Sequence, residues 1–263
     1  MGGNVPDVIS DKIKNSYNYK VILGIIVLVL SFHLLVNYGF DVDKSEFIAT
    51  VFSFLNPLIV FILGISAYVK YRGTQIFGKS IIFLSLAFLS LFVAEILYMV
   101  YDVILNVDPY PSIADIFFFL LYPLLAVYLF KNVKYFSPTL HRTSKFLLVS
   151  IPVIIILGFV ILSTTLAEPD YNEFDFIYGT LFIVVSLITL AIGVVGAFIL
   201  RQGAIGKVWI LITIGILLNN IGDVWYYHME LFEGYDLFHP VNLFWYSGYW
   251  LTMYGLLKHK KTI

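Results

Sequence analysis

Cysteine is absent from the chain, so it can hold no disulfide, no thiolate metal site and no cysteine nucleophile. Charge is scarce: Asp, Glu, Lys and Arg make up 13% of the 263 residues, against 60% hydrophobic. The formal net charge of −1 leaves no basic field for a nucleic acid, so no such partner is expected. A mean hydropathy of +0.91 excludes an ordinary soluble domain and places the chain among polytopic membrane proteins, with the lipid bilayer as its first partner. Little in the first residues suggests a cleavable leader. Residues 1–19 are polar, with Gly2-Gly3 near the start, and lack an apolar core followed by small residues, so the segment is expected to be retained.

Several catalytic signatures are also lacking. There is no His-Glu-x-x-His and no Gly-x-Ser-x-Gly, the arrangements that position zinc ligands or a serine nucleophile. Every lysine falls at a helix end or in a loop, so no mid-membrane Schiff base is available. Tyr101-Asp102 with Gly222-Asp223 resembles the paired motifs of intramembrane aspartyl proteases. However, Asn220-Ile221-Gly222-Asp223 replaces Gly-x-Gly-Asp, and no Pro-Ala-Leu follows. His33, His228, His239, Glu95 and Asp223 are of nitrogen- and oxygen-ligand type, but their spacing is not diagnostic of a metal. The pattern names no cofactor, and the balance is against an enzyme.

What the chain does have is long apolar runs. A helix crossing roughly 30 Å of hydrocarbon needs about 20 apolar residues. Eight stretches qualify: 20–39, 47–69, 80–104, 113–130, 146–166, 176–200, 208–232 and 241–257. An all-α protein of eight transmembrane helices is therefore expected. Fifteen of the sixteen Lys and Arg fall on one side of these spans, with Lys44 alone on the other. The positive-inside rule then places both termini in the cytoplasm. The acids mirror this: only Asp7 and Asp11 are cytoplasmic, and fifteen lie in outer loops or in the outer parts of helices.

Residues 78–129 return at 206–256. Gly78-Lys79 recurs as Gly206-Lys207, Ala94-Glu95 as Gly222-Asp223 and Asp102 as Glu230, all 128 positions on. After one deletion, Asp115 falls opposite Asn242 and Tyr122 opposite Tyr249. The organisation read from this is a cytoplasmic segment (1–19), a first four-helix repeat (20–130), a basic cytoplasmic linker (131–145), a second four-helix repeat (146–257) and a cytoplasmic tail (258–263). With four spans each, the halves insert in the same orientation and should be related by an approximate twofold axis along the membrane normal.

The duplication sets a carboxylate at one depth in two equivalent helices. Glu95 and Asp223 each follow a cytoplasmic-end lysine by 16 residues, about 24 Å at 1.5 Å per residue. A charged acid facing lipid there costs a few kcal/mol or more, so both should face the bundle interior. Asp102 and Glu230 lie two turns further out on the same faces. Asp115, Asn242, Asn219, His33 and His228 gather near the same level. These nine residues form the expected site: an outward-facing acidic pocket between spans 3, 4, 7 and 8, binding a small ligand, cation or proton.

Pro111-Ser112-Ile113-Ala114-Asp115, followed by Tyr122-Pro123-Leu124, resembles a pattern in the multi-helix membrane sensor domains that precede diguanylate-cyclase, phosphodiesterase or histidine-kinase modules in microbial signalling proteins. Pro and Ser open the fourth span, and Asp115 favours the positive end of its dipole. The resemblance implies a sensory module of a microbial cell membrane. Six residues follow Leu257, so the response is expected to pass to a separate signalling or membrane-complex partner. An ion- or proton-coupled transporter and an accessory subunit of a larger membrane complex are the alternatives.

Overall fold

Each apolar run folds as an α-helix, and several helices continue past the run into flanking polar residues. A computed structural model describes residues 18–166, 173–201, 206–230, 235–236 and 238–262. The helices are α1 (Tyr19–Tyr38), α2 (Val42–Tyr71), α3 (Phe77–Met99), α4 (Ile113–Phe136), α5 (Arg142–Leu166), α6 (Glu173–Leu200), α7 (Gly206–Glu230) and α8 (Val241–Thr262). Among the described residues there is no strand. The basic stretch 131–145 is less of a linker than expected. Helix α4 runs to Phe136 and α5 begins at Arg142, which leaves only 137–141 between them.

The first seven helices are long and apolar enough to cross a membrane. Helix α8 has the length but mixes Asn242, Ser247, His259 and several Tyr and Trp into its apolar sequence. It differs because much of its surface faces other helices and the cavity described below, where polar atoms find company.

Local chemistry sets the ends. Asp41 caps α2, accepting from the Lys44 N–H at 3.1 Å, and the Lys44 ammonium at 2.6 Å holds its carboxyl below the usual range. Ser112 caps α4 in a capping box: its hydroxyl accepts from the Ala114 N–H, and the Asp115 carboxylate accepts from the Ser112 N–H at 2.6 Å. Two orphan donors are thereby satisfied at once. Helix α3 ends in a single π-turn, Val100–Ile104, a local widening often found at functional positions.

Packing arranges six helices in a closed ring, in the order α2, α3, α4, α6, α7, α8 and back to α2. Helix α1 lies outside the ring against α8 and, less extensively, α2; α5 lies outside against α6 and, slightly, α7. Small residues allow the close crossings. A Cβ on Gly64 would meet the Ser85 hydroxyl at 2.5 Å, and one on Gly215 would sit 2.8 Å from the Gly248 carbonyl. Inter-helix hydrogen bonds add direction: Ser90 donates to the Phe117 carbonyl at 2.7 Å, Trp209 to Gly193 at 3.0 Å and Tyr71 to His259 at 2.8 Å.

Toward the end of the ring that carries the N-terminus of α3 and the C-terminus of α8, the interior is filled. Leu84, Phe88, Leu125, Leu129, Ile212 and Ile216 belong to one apolar cluster and are nearly inaccessible. The outward faces are apolar as well: Leu23, Val27 and Leu34 on α1, and Val149, Ile154 and Ile161 on α5, stand at the surface.

Candidate functional site

At the other end of the ring the helices enclose a cavity of about 380 Å³. From α3 it is lined by Leu91, Glu95, Tyr98 and Met99, with Asp102 from the π-turn. From α7 it is lined by Asn219, Asp223, Tyr226, Tyr227 and Glu230. Each of the second five lies 128 positions after its counterpart in the first. Helices α4 and α8 supply the flanking walls. Asp115, Phe118 and Tyr122 on α4 correspond, 127 positions on, to Asn242, Trp245 and Tyr249 on α8, and all six line the cavity. Leu121 on α4, Tyr246 on α8, Thr50 and Ser53 on α2, Asp175 and Phe182 on α6, and Tyr110 and Tyr235 from the connecting loops complete it among the described residues.

The charge is of one sign. Among the described residues six carboxylates line the cavity (Glu95, Asp102, Asp115, Asp175, Asp223 and Glu230), and no Lys, Arg or His does. They are graded in depth. Asp102 and Glu230 are exposed at the mouth, Glu95 is half-buried, and Asp223 is 9% exposed, the one buried acid among the described residues. The paired Tyr101-Asp102 and Gly222-Asp223 motifs thus place one acid at the rim and the other deep.

The two deep acids have different surroundings, and comparing the residues at the 127- and 128-position offsets shows how. Asp223 is held by two donors: the Tyr122 hydroxyl from α4 on one oxygen and the Trp245 indole N–H from α8, at 3.0 Å, on the other. Gly222 makes room for that indole, since a Cβ there would lie 2.5 Å from Trp245 Nε1. For Glu95 the counterpart of Trp245 is Phe118, which has no N–H to give. The counterpart of Tyr122 is Tyr249, which makes no hydrogen bond to Glu95. Glu95 therefore faces the cavity with no hydrogen-bond partner among the described residues. Asn219 is similar. It is 4% exposed, yet among the described residues its amide makes no hydrogen bond, and its Oδ1 packs against Gly248 on α8.

Hydroxyls organise the rest. Tyr235 donates to Asn242 Oδ1 at 2.9 Å, Tyr178 donates to the Asp115 carbonyl at 3.2 Å, and Ser53 lies 3.4 Å from the Tyr246 hydroxyl. Burial pushes the loop phenols Tyr110 and Tyr235 up from their usual range, with Asp175 beside Tyr110 adding to the effect. Both therefore stay neutral at physiological pH and act as donors. The Asp115 carboxylate has two tasks, since it lines the cavity while closing the capping box.

Seven of the nine residues expected at the site line this one cavity: Glu95, Asp223, Asp102, Glu230, Asp115, Asn242 and Asn219. Two do not. His33 sits on the peripheral α1, where its imidazole meets the Asn37 amide at 3.0 Å, and Asn37 in turn donates to the Phe238 carbonyl at 3.1 Å. His228 is turned to a second, almost wholly apolar groove between α5, α6 and α7. The reason is rotational. His228 is five residues past Asp223, half a turn away from the acid's face, and α1 is held outside the ring. Asp175, Tyr110 and Tyr235 were not anticipated. Asp175 gave a usable signal, an acid two residues after the start of a helix whose apolar run follows, whereas Tyr110 and Tyr235 reach the cavity through loop conformation.

Among the described residues no group of three or more His, Asp or Glu is placed to hold a metal ion. Comparison with known proteins gives no matching family model, no matching curated protein and no matching solved structure.

Proposed function

We propose that this chain is an eight-helix integral membrane module of sensor or receptor type, binding a small cationic ligand in the acidic cavity at its outer end. The observation that carries the reading is the charge of the lining: six carboxylates, two of them deep, with no cationic side chain among them. An acid-lined, aromatic-walled hollow in a bundle with an apolar exterior concentrates cations.

The membrane setting rests on the seven long apolar helices and their exposed Leu, Ile and Phe, a surface no aqueous domain tolerates at that extent. The segregation of basic residues orients the mouth away from the cytoplasm and both termini toward it. The two four-helix repeats are supported by the constant 128-residue offset of the cavity-lining positions of α3 and α7. They are also supported by the ring order, which maps onto itself when the first four helices are exchanged for the last four. Helices α1 and α5 depart from that symmetry, α1 leaning on α8 and α5 mainly on α6.

A transporter needs the path to continue. Here the apolar cluster around Leu84, Phe88, Leu125, Ile212 and Ile216 closes the ring below the cavity, which favours binding without passage. The test is thermal unfolding of the purified protein against pH and against added cations, with the double variant Glu95→Gln/Asp223→Asn beside it. The expected result is a dose-dependent rise in Tm that the double variant loses. An identical response in both proteins would remove the cavity as the site, and acid-dependent uptake into liposomes would replace the sensor reading with a carrier.

A further inference from the structure

Resting on that reading of the cavity, we propose that its ligand is a small organic ammonium ion, with the charged nitrogen donating to Glu95 and the carbon body lying against the aromatic wall. Three observations separate this from an inorganic cation or a neutral solute.

The first is the unpaired polarity at the deep end. Asp223 has both oxygens occupied by donors from Tyr122 and Trp245, whereas Glu95 has no donor among the described residues. Asn219, nearly fully buried, has an Oδ1 with no hydrogen-bond partner among the described residues, but that atom is turned to Gly248 on α8, which leaves Glu95 as the acceptor open to the cavity. A buried or half-buried polar group left unmade is costly. A ligand that brings N–H donors to Glu95 removes that cost and supplies the missing counter-charge, which a neutral alcohol does not.

The second is the wall. Eleven of the twenty-four lining residues are Tyr, Trp or Phe. Around the deep acids stand Tyr98, Tyr226, Tyr246, Tyr249 and Trp245. Ring faces attract a diffuse, weakly hydrated cation. A hard metal ion instead needs several oxygens at roughly 2–2.6 Å, and the six carboxylates are spread over the cavity rather than drawn together into such a group.

The third is size. About 380 Å³ far exceeds what one desolvated metal ion fills, and lies at the lower end of the roughly 300–1,000 Å³ of small-molecule sites.

The experiment uses the full chain in detergent or nanodiscs. Tm and calorimetric binding are measured with benzylamine, choline and putrescine, with benzyl alcohol as the neutral isostere of the first, and with calcium chloride and magnesium chloride. The expected result is saturable binding of at least one amine, none of benzyl alcohol, and a Kd at least tenfold weaker in Glu95→Gln. Glu95→Gln removes charge without changing shape at a group that makes no internal bond, so its fold should persist, and the alcohol control needs no variant at all. Equal binding of amine and alcohol, or amine affinity unchanged in Glu95→Gln, overturns the proposal. So does no saturable response to any of the three amines. If amines fail while calcium, magnesium or protons still give a Tm rise that Glu95→Gln/Asp223→Asn abolishes, the ammonium assignment falls and the cavity reading stands. If no probe and no pH change gives a rise that the double variant abolishes, both fall.

Discussion

Glu95 and Asp223 are equivalent in sequence and different in chemistry, and the difference comes from substitutions one helix away. Trp245 gives Asp223 a donor where Phe118 gives Glu95 none, and Tyr122 reaches across from α4 while Tyr249 stays unbonded to Glu95. A hydrogen bond to a charged group contributes about 1.5–3 kcal/mol. Tyr122→Phe should therefore lower unfolding stability by about 1–3 kcal/mol, while Tyr249→Phe should lower it by less than about 1 kcal/mol. Denaturant titration of the two variants side by side checks this, and equal losses would mean that the Asp223 bond has no special weight. The pairing of the acids was legible from the 128-residue spacing. Which acid is held and which is open was not, because it depends on side chains brought over from other helices. His33 shows the converse: its depth along α1 was readable, but its partner Asn37 and the exile of α1 from the ring were not.

At the scale of the elements, helix contacts depend on glycines where backbones cross and are indifferent to glycines facing outward. A Cβ on Gly215 would collide with Gly248 and Thr252, whereas one on Gly24 meets nothing within 4 Å. Overpacking a tight crossing costs about 1–3 kcal/mol, while Ala is favoured over Gly in an open helix position by up to about 1 kcal/mol. Gly215→Ala should thus destabilise the bundle and separate α7 from α8, while Gly24→Ala should be neutral or mildly stabilising. Thermal melts of both variants in one detergent decide it, and a neutral Gly215→Ala would contradict the crossing geometry. The extents of the helices were largely visible in the hydropathy. Their capping and overrun into 131–136 and 142–145 depended on local hydrogen bonding, which continues past the apolar stretch wherever no residue stops it.

On the scale of the whole molecule, a ring of six helices with two outliers leaves one end hollow and the other filled. That polarity gives the proposed orientation a direct test, made simple by a chain without cysteine. Asp43 and Thr139 are exposed and lie in opposite end regions of the bundle. A membrane-impermeant maleimide should label Asp43→Cys in intact cells and Thr139→Cys only after permeabilisation. The reverse pattern would turn the cavity toward the cytoplasm.

Helix number, approximate helix limits and the positions of Glu95 and Asp223 along their helices were already written in the order of residues, because apolar length, rise per residue and a constant offset are properties of a line. Ring closure, the displacement of α1 and α5, the capture of Asp223 by Tyr122 and Trp245, and the enlistment of Asp175 came from folding in three dimensions. Those outcomes depend on which faces meet and how closely backbones approach, and contacts between residues a hundred positions apart leave no periodic mark along the chain.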